Sequence, residues 1–297
     1  MRRIACAFAA AVLASASASL AAADTPRTPL LEYAAEVHYP TAEDEADSRR
    51  QLSEIDFQLQ QDPPPAHDCA HTLGAVRFAS MLHKRAVNLA ALGEDAASVQ
   101  TLQQALDCSP RSWSLLLALA EELMYVGRYD DAYDSLARVR AIRHEPGAGS
   151  EILARLDFIA GRWVNAAGWL KWAAADEIDN VRAAYWECFL WLAQRRAGSV
   201  HPELTNVDIA AVWPRPVLAT LQGETTEAQL VDTIRDEPRE TRRREMLVEA
   251  LYYLGEEKLA QGDPALAQRY FAASVNLKVL NFIEHHMALA ELAKMRR

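Results

Sequence analysis

Paired acidic residues are the first feature of this 297-residue sequence that could perform chemistry. Glu121-Glu122 and Glu256-Glu257 are pairs of carboxylates, the groups that glycoside hydrolases use as acid and nucleophile. Adjacent residues on a helix point about 100° apart, so each pair would need a further group from elsewhere in the chain. The sequence also has no G-x-S-x-G motif and no glycine-rich phosphate loop. We therefore expect no enzymatic activity.

Two short segments carry side chains that can bind a metal ion. Residues 67–71 read HDCAH and residues 284–286 read EHH. Zinc accepts histidine and cysteine donors, but the first segment lacks the spacing of a standard ligand module. In the second, adjacent histidines on a helix diverge and cannot both face one ion. We expect a structural Cys69 with exposed histidines in the first segment, and neither a metal site nor a cofactor in the chain.

The first 23 residues have the composition of a cleavable secretory signal. Arg2 and Arg3 form a basic start, an alanine-rich apolar run follows, and Ala21-Ala22-Ala23 provides an A-x-A cleavage site. Cys6 lies too close to the start to be the lipid-modified cysteine of a lipoprotein signal. No later apolar run is long enough to span a membrane. The sequence therefore predicts a secreted protein without a transmembrane span or a lipid anchor.

The charge of the chain bears on its partners. The formal net charge is -10, and binding to nucleic acid depends on concentrated lysine and arginine. The one basic cluster, at residues 239–244, is interleaved with acids and is typical of a solvated helix start, with contact to an anionic head group or an acidic partner as the alternative. We expect no nucleic-acid partner.

Three cysteines follow the signal: Cys69, Cys108 and Cys188. In an oxidising compartment this number favours one disulfide and one buried thiol. We favour the pair Cys69–Cys108, although the sequence does not establish the pairing.

Glycines recur at a fixed interval between two helix-favouring arms. Gly93, Gly127 and Gly161 are each 34 residues apart, in "LAALGEDAASVQ", "MYVGRYDDAYDSLARV" and "DFIAGRWVNAAGWLKWA". Glycine permits the turn at the end of the first helix, and small residues let the two helices approach closely. The same arrangement surrounds Gly262, so Glu256 and Glu257 belong to a repeat. The period and the pattern resemble the tetratricopeptide (TPR) repeat.

The C-terminal third carries a second resemblance. Residues 211–294, with "WPRPV" and "NFIEHH", are similar to the tail of NlpI-type bacterial envelope TPR lipoproteins. This resemblance implies an all-helical, often dimeric scaffold that gathers proteases or peptidoglycan hydrolases without catalysis. It also implies packing or capping roles for Glu284 and His285. Since the lipobox cysteine of that family is missing, we expect a periplasmic, non-catalytic adaptor that binds an envelope protein, with a homodimer through the N-terminal helices as an option.

The predicted fold is an all-α TPR helical-hairpin solenoid with N- and C-terminal capping helices. In the third hairpin Asp157 stands where the pattern has an aromatic residue, which weakens the prediction of a helix there. A T-x-x-Q capping box at Thr226 and Gln229 predicts the start of a short helix. The predicted regions are a signal (1–23), an acidic N-terminal helical segment (24–75), an array of three units plus a degenerate helix (76–198), a loop and short helix (199–242), and the last hairpin with a closing helix (243–297).

The TPR resemblance also implies where a partner binds. The first helix of each hairpin lines the concave face, and counting from the turn glycines gives the groove positions. An apolar, partly acidic groove favours an extended or helical peptide with some basic character. The predicted partner-binding residues are His83, Val87, Leu117, Glu121, Met124, Tyr125, Glu151, Arg155 and Phe158.

Aromatic clustering supports an alternative function. Six of the seven tryptophans lie between residues 163 and 213. Such a cluster could line a groove for a glycan or peptide ligand, or it could fill an irregular core where the repeat ends. The first reading would make the chain a ligand-binding envelope protein.

Overall fold

The structure is a computed structural model that describes residues 28–37, 42–64, 69–71, 74–175, 179–205 and 213–296. Within these ranges the chain is all-α, with 14 α-helices, one short 3-10 turn at Cys69–His71 and no β-strand. None of the described helices combines the length and apolar character needed to cross a bilayer. The predicted signal at residues 1–23 lies outside the described residues.

The helices follow one another with short connections. In chain order they are α1 (Pro29–Glu36), α2 (Ala42–Gln61), α3 (Ala75–Ala91), α4 (Asp95–Cys108), α5 (Trp113–Tyr125), α6 (Tyr129–Arg143), α7 (Ser150–Ile159), α8 (Trp163–Ala175), α9 (Asn180–Arg196), α10 (Arg215–Leu221), α11 (Glu227–Arg235), α12 (Glu240–Ala260), α13 (Pro264–Asn276) and α14 (Ile283–Met295). The pairs α3/α4, α5/α6, α7/α8 and α12/α13 each pack together as a helical hairpin.

The four hairpin turns share one backbone geometry. Gly93, Gly127, Gly161 and Gly262 have φ values of 74°, 77°, 75° and 81°, in the left-handed region that favours glycine. After each glycine, the next backbone N–H donates to the carbonyl five residues earlier, as from Arg128 to Leu123 at 2.8 Å. This hydrogen bond satisfies a carbonyl that the helix end leaves unpaired. The predicted glycine turns are therefore confirmed.

One hydrophobic core runs through the hairpins. Helix α9 packs on α8 and on α12, so it connects the third hairpin to the last one. Within the last hairpin, a Cβ atom on Gly255 would lie 2.6 Å from Cε1 of Phe271. The small residue thus permits the close approach of α12 and α13 that the sequence predicted.

The N-terminal segment divides into two helices with different neighbours. Helix α1 packs on α11 and α13, where the Leu30 N–H donates to Oε1 of Glu227 at 3.1 Å. Helix α2 packs on α3, where Nε of Arg85 lies 2.7 Å from Oδ1 of Asp56. The segment predicted as one unit therefore contacts both ends of the helical array.

Two helices differ from what the sequence indicated. Helix α10 forms in the region read as a loop, because a proline in the first helical turn, here Pro216, removes only an N–H that has no helical partner there. Helix α7 forms despite Asp157, whose buried carboxylate accepts hydrogen bonds from the Tyr133 hydroxyl (2.8 Å), Arg162 (2.7 Å) and Trp169 (3.0 Å). The predicted capping box of α11 is confirmed, since Thr226 N donates to Oε1 of Gln229 at 2.8 Å.

The closing helix α14 returns to the middle of the chain. It packs on α12 and α13, and it also contacts α5 and α7 from the second and third hairpins. The start of α14 therefore forms one wall of a pocket between these helices.

Candidate functional site

A pocket of about 420 Å³ lies among the first helices of successive hairpins. Its walls come from α5, α7, α9 and α12, and from residues 281–284 at the start of α14. Four of the predicted groove residues meet there: Glu121, Tyr125, Glu151 and Arg155. The other named wall residues are Arg182, Tyr185, Trp186, Phe189, Arg242, Glu249, Phe282 and Glu284.

Arg155 is the central cation of this pocket. Only 10% of its side-chain surface is exposed. Nη1 donates to Oε1 of Glu121 at 3.2 Å, and the guanidinium carbon lies 5.4 Å from the centre of the Trp186 ring. Its Nε has no acceptor among the described residues. A guanidinium has five N–H donors, so this buried group uses few of them.

Two further arginines reach the pocket from α9 and α12. Arg182 pairs with Glu151 across the α7–α9 gap at 3.2 Å. Arg242 lies 3.0 Å from Glu245 on its own helix and 3.8 Å from Glu249. The pocket therefore combines positive and negative side chains from four helices.

Glu249 and Glu284 are buried on the floor of the site. Glu249 accepts hydrogen bonds from the Tyr185 hydroxyl at 3.1 Å and from the Trp213 indole N–H, and Glu284 accepts one from the Tyr253 hydroxyl at 2.8 Å. Burial raises the pKa of Glu249 to about 8, and the neighbouring Glu284 adds to that effect. Burial also raises the pKa of Glu284. Because a buried charge costs free energy, a neutral carboxyl is favoured at Glu249 near pH 7.

The structure corrects the groove prediction at two positions. Met124 and Phe158 are 3% and 1% exposed, so neither forms an open binding surface. Phe158 packs edge-on against Trp163 and Phe189, with ring centres 5.0 and 6.3 Å apart. Met124 lies beside Met287, because α14 docks against this part of α5. The repeat pattern does not show where α14 packs, so it could not predict that this part of α5 is covered.

The remaining predicted residues lie apart from the pocket. His83 and Val87 are on α3, where Val87 is 57% exposed and burial lowers the pKa of His83. Leu117 is half-buried and packs against the core. The structure thus gathers four of the predicted residues of α5 and α7 and separates those of α3.

Sequence reasoning missed Arg242 and Glu249 as members of the site, and it placed Trp186 only in the aromatic cluster of the alternative function. A signal for Glu249 was present, since it is one acid within the apolar run "MLVEALYYL" on α12. Acids in such runs are rarely buried without a partner. The aromatic and basic clusters drew attention to Trp186 and Arg242, but neither cluster placed them in this pocket, because their positions depend on how α9 packs on α12.

The tryptophan cluster is mostly part of the core. Trp186 is buried, and Trp163, Trp169, Trp191 and Trp213 are half-buried and packed against the core. Trp172 is 50% exposed and borders a separate cleft of about 170 Å³ with Glu151 and Arg182.

The cysteines and the candidate metal segments have structural surroundings. Cys69 and Cys108 are joined by a disulfide, and Cys188 is free and buried, which raises the pKa of its thiol. No cluster of three or more His, Cys, Asp or Glu side chains in the described part of the chain is arranged to hold a metal ion. His67 and Asp68 lie outside that part. Glu284 and His285 are buried on α14.

The adjacent acids of α12 also have partners. Glu257 and Glu256 on α12 form ion pairs with Arg195 and Arg196 on α9, the first at 2.9 Å. These bonds connect α9 to the last hairpin.

No protein-family model matches the chain. The chemistry of the site must therefore be inferred from its own residues, which suit the binding of a mixed polar and aromatic group.

Proposed function

We propose that this protein is a non-catalytic, periplasmic adaptor of the TPR type, in which the hairpins form a helical solenoid closed by terminal helices. It binds a peptide segment of another cell-envelope protein, such as a protease or a peptidoglycan hydrolase. The observation that carries this proposal is the meeting of Glu121, Tyr125, Glu151 and Arg155 in one pocket. These residues come from the first helices of two successive hairpins, the surface that TPR proteins use for binding.

The repeat geometry supports the solenoid. Three of the four glycine turns are spaced by 34 residues, and all four have the same left-handed conformation and hydrogen bond. Repeats with equivalent turns stack with equivalent rotations, which produces an extended curved surface.

The test is affinity capture of partner proteins from native envelopes. It compares the original chain with a variant in which two charged residues of the pocket are exchanged. In Glu151→Arg/Arg182→Glu the ion pair is kept but the charges at the pocket rim are exchanged. A partner that depends on the pocket should be captured by the original chain and lost with this variant. The control is Arg138→Glu on α6, outside the pocket. The captured protein is then purified, and its direct affinity for both variants is measured.

Equal affinity of the partner for the original chain and the charge-exchanged variant would contradict the proposed binding surface. The charge-exchanged variant should unfold within a few degrees of the original chain, because the exchanged residues are partly exposed and stay paired. The Arg138→Glu control should do so as well. Thermal melting followed by circular dichroism checks that condition.

A second candidate function uses the tryptophan region. Trp172 is half exposed beside Glu151, Arg182 and Trp186, an arrangement of the kind that stacks on sugar rings. Titration with soluble peptidoglycan fragments, followed by tryptophan fluorescence, tests it. A response that Trp172→Ala abolishes would support a glycan-binding protein, and no response would remove this candidate.

A further inference from the structure

The buried Arg155 has too few hydrogen-bond partners for a charged group. Among the described residues its one acceptor is Glu121, whose side chain is 35% exposed and can also be solvated. Burying a guanidinium costs free energy unless its N–H groups are paired. Native structures pair the great majority of such groups, so each exception calls for an explanation such as a ligand or an ordered water.

A second unpaired donor lies beside it. The Trp186 indole N–H is buried and has no acceptor in the described residues, and the Arg155 guanidinium lies over the Trp186 ring. Both residues line the same pocket. Two neighbouring donors without acceptors indicate a missing group that is rich in acceptors. A planar carboxylate fits that description, because arginine binds it through parallel hydrogen bonds.

The other walls indicate what the carboxylate is attached to. Tyr125, Tyr185, Phe189 and Phe282 supply aromatic surface around the 420 Å³ pocket. Pockets of this size that combine aromatic surface with placed polar and charged groups hold small organic molecules or single side chains. The buried Glu249 does not oppose an anion while it holds its proton.

We propose that this pocket binds a carboxylate carried on an aromatic or apolar body, and that Arg155 is the residue that anchors it. The carboxylate has two possible sources: a free small acid, or an acidic or C-terminal residue of a protein partner. For the second source the inference rests on the proposed adaptor function. This chemistry differs from the basic peptide that the sequence favoured, because the sequence did not show that Arg155 is buried with unused donors.

The test compares an acid with its amide on the purified full-length chain. N-acetyl-phenylalanine and N-acetyl-phenylalanine amide differ only in the carboxylate, and isothermal titration calorimetry near pH 7 measures both. We expect the acid to bind at least about tenfold more tightly than the amide. Equal binding of the two probes, or no binding of either, would overturn the proposal and assign the unpaired donors to ordered water.

Three variants show which residue holds the acid. Arg155→Met should reduce affinity for the acid about tenfold or more and leave the amide unchanged. Glu121→Gln should act in the opposite direction, because it removes the carboxylate that competes for Arg155, while the amide oxygen of the glutamine can still accept a hydrogen bond from Arg155. Arg138→Gln, outside the pocket, is the control. If Arg155→Met does not fold, Glu121→Gln alone tests the proposal. The proposal is then overturned if Glu121→Gln binds the acid no more tightly than the original chain does.

The two proposals fail in different ways. If the acid binds but no envelope protein is captured, the pocket is retained as a small-acid site and the adaptor function is lost. If a captured partner binds Arg155→Met and Glu121→Gln as well as the original chain, the carboxylate inference is wrong while the adaptor function stands. Amidation of the partner's acidic or C-terminal group then separates the two sources of the carboxylate.

Discussion

The imidazole of His286 stacks on the phenol ring of Tyr125, with ring centres 4.0 Å apart and planes only 10° from parallel. His286 is on the closing helix α14 and Tyr125 is on α5, so the contact joins the last element of the chain to the second hairpin. His286 is also oriented by its Nε2 atom, which lies 2.7 Å from the Leu280 carbonyl oxygen. Helix α14 is therefore a wall of the binding pocket as well as the end of the fold.

This stacking should be measurable as a coupling energy. We expect Tyr125→Leu and His286→Leu to be non-additive, because each single change already removes the ring contact. A double-mutant cycle from urea unfolding should give a coupling of about 1 kcal/mol. Additive changes in the free energy of unfolding would show that α14 is held by its contacts with α12 and α13 alone.

Two helical glycines should respond in opposite ways to alanine. Gly255→Ala places a methyl group against the buried Phe271 ring, where the Cβ would lie 2.6 Å from a ring carbon. We expect a loss of about 1–3 kcal/mol in the free energy of unfolding. Gly168→Ala on α8 is the matched control, since nothing lies within 4 Å of its added Cβ. It should stabilise the protein by about 0.5–1 kcal/mol through the higher helix propensity of alanine.

Urea unfolding of both glycine variants provides the measurement. If Gly255→Ala were as stable as the original chain, the spacing of α12 and α13 would have to be wider than the structure shows. A further change of Phe271→Leu should recover part of the loss, because it removes the ring that the methyl group meets.

Stability should depend on pH through Glu249. Its folded pKa of about 8 lies above the ordinary value of 4.5, so the folded state holds the proton more tightly than the unfolded state. That contribution is complete below about pH 4.5 and is lost as the pH rises through 8. Glu249→Gln cannot ionise, yet its amide oxygen can still accept from Tyr185 and Trp213. Its stability relative to the original chain should rise by at least about 1 kcal/mol between pH 5 and pH 9.

Paired unfolding curves for Glu249→Gln and the original chain across this range provide the measurement. The charged and titratable groups that face Glu249 are Tyr185 on α9, Arg242 on its own helix and Glu284 on α14. A constant difference across the pH range would mean that Arg242 keeps Glu249 ionised in the folded protein. Affinity for the acid probe should weaken over the same range, because ionised carboxylates repel an anion.

The disulfide should contribute to stability by restricting the conformations of the unfolded chain. It joins residues 39 positions apart, and loop-closure entropy for that length corresponds to about 4 kcal/mol. We expect Cys69→Ser/Cys108→Ser to lower the midpoint of urea unfolding, and reduction of the original chain to do the same. Reductant should not change the midpoint of the double variant, because Cys188 is the one free cysteine in the described residues. An unchanged midpoint in the reduced original chain would exclude this contribution.

The sequence by itself determined the local elements of this protein. Glycines at a spacing of 34 residues predicted the turns, because only glycine adopts the left-handed conformation there without strain. Capping residues and apolar spacing predicted most helices, because these interactions involve residues only a few positions apart in the chain. Helix α10 was missed because its prolines were taken as loop signals.

The tertiary structure decided which side chains form the pocket and what charge they carry. Arg155 and Trp186 are brought together by the packing of α7 near α9, and α14 covers Met124 from the far end of the chain. The pKa of Glu249 depends on how completely these helices exclude water. Burial depends on how distant helices pack together, so the repeat pattern predicted four residues of the pocket but not its chemistry.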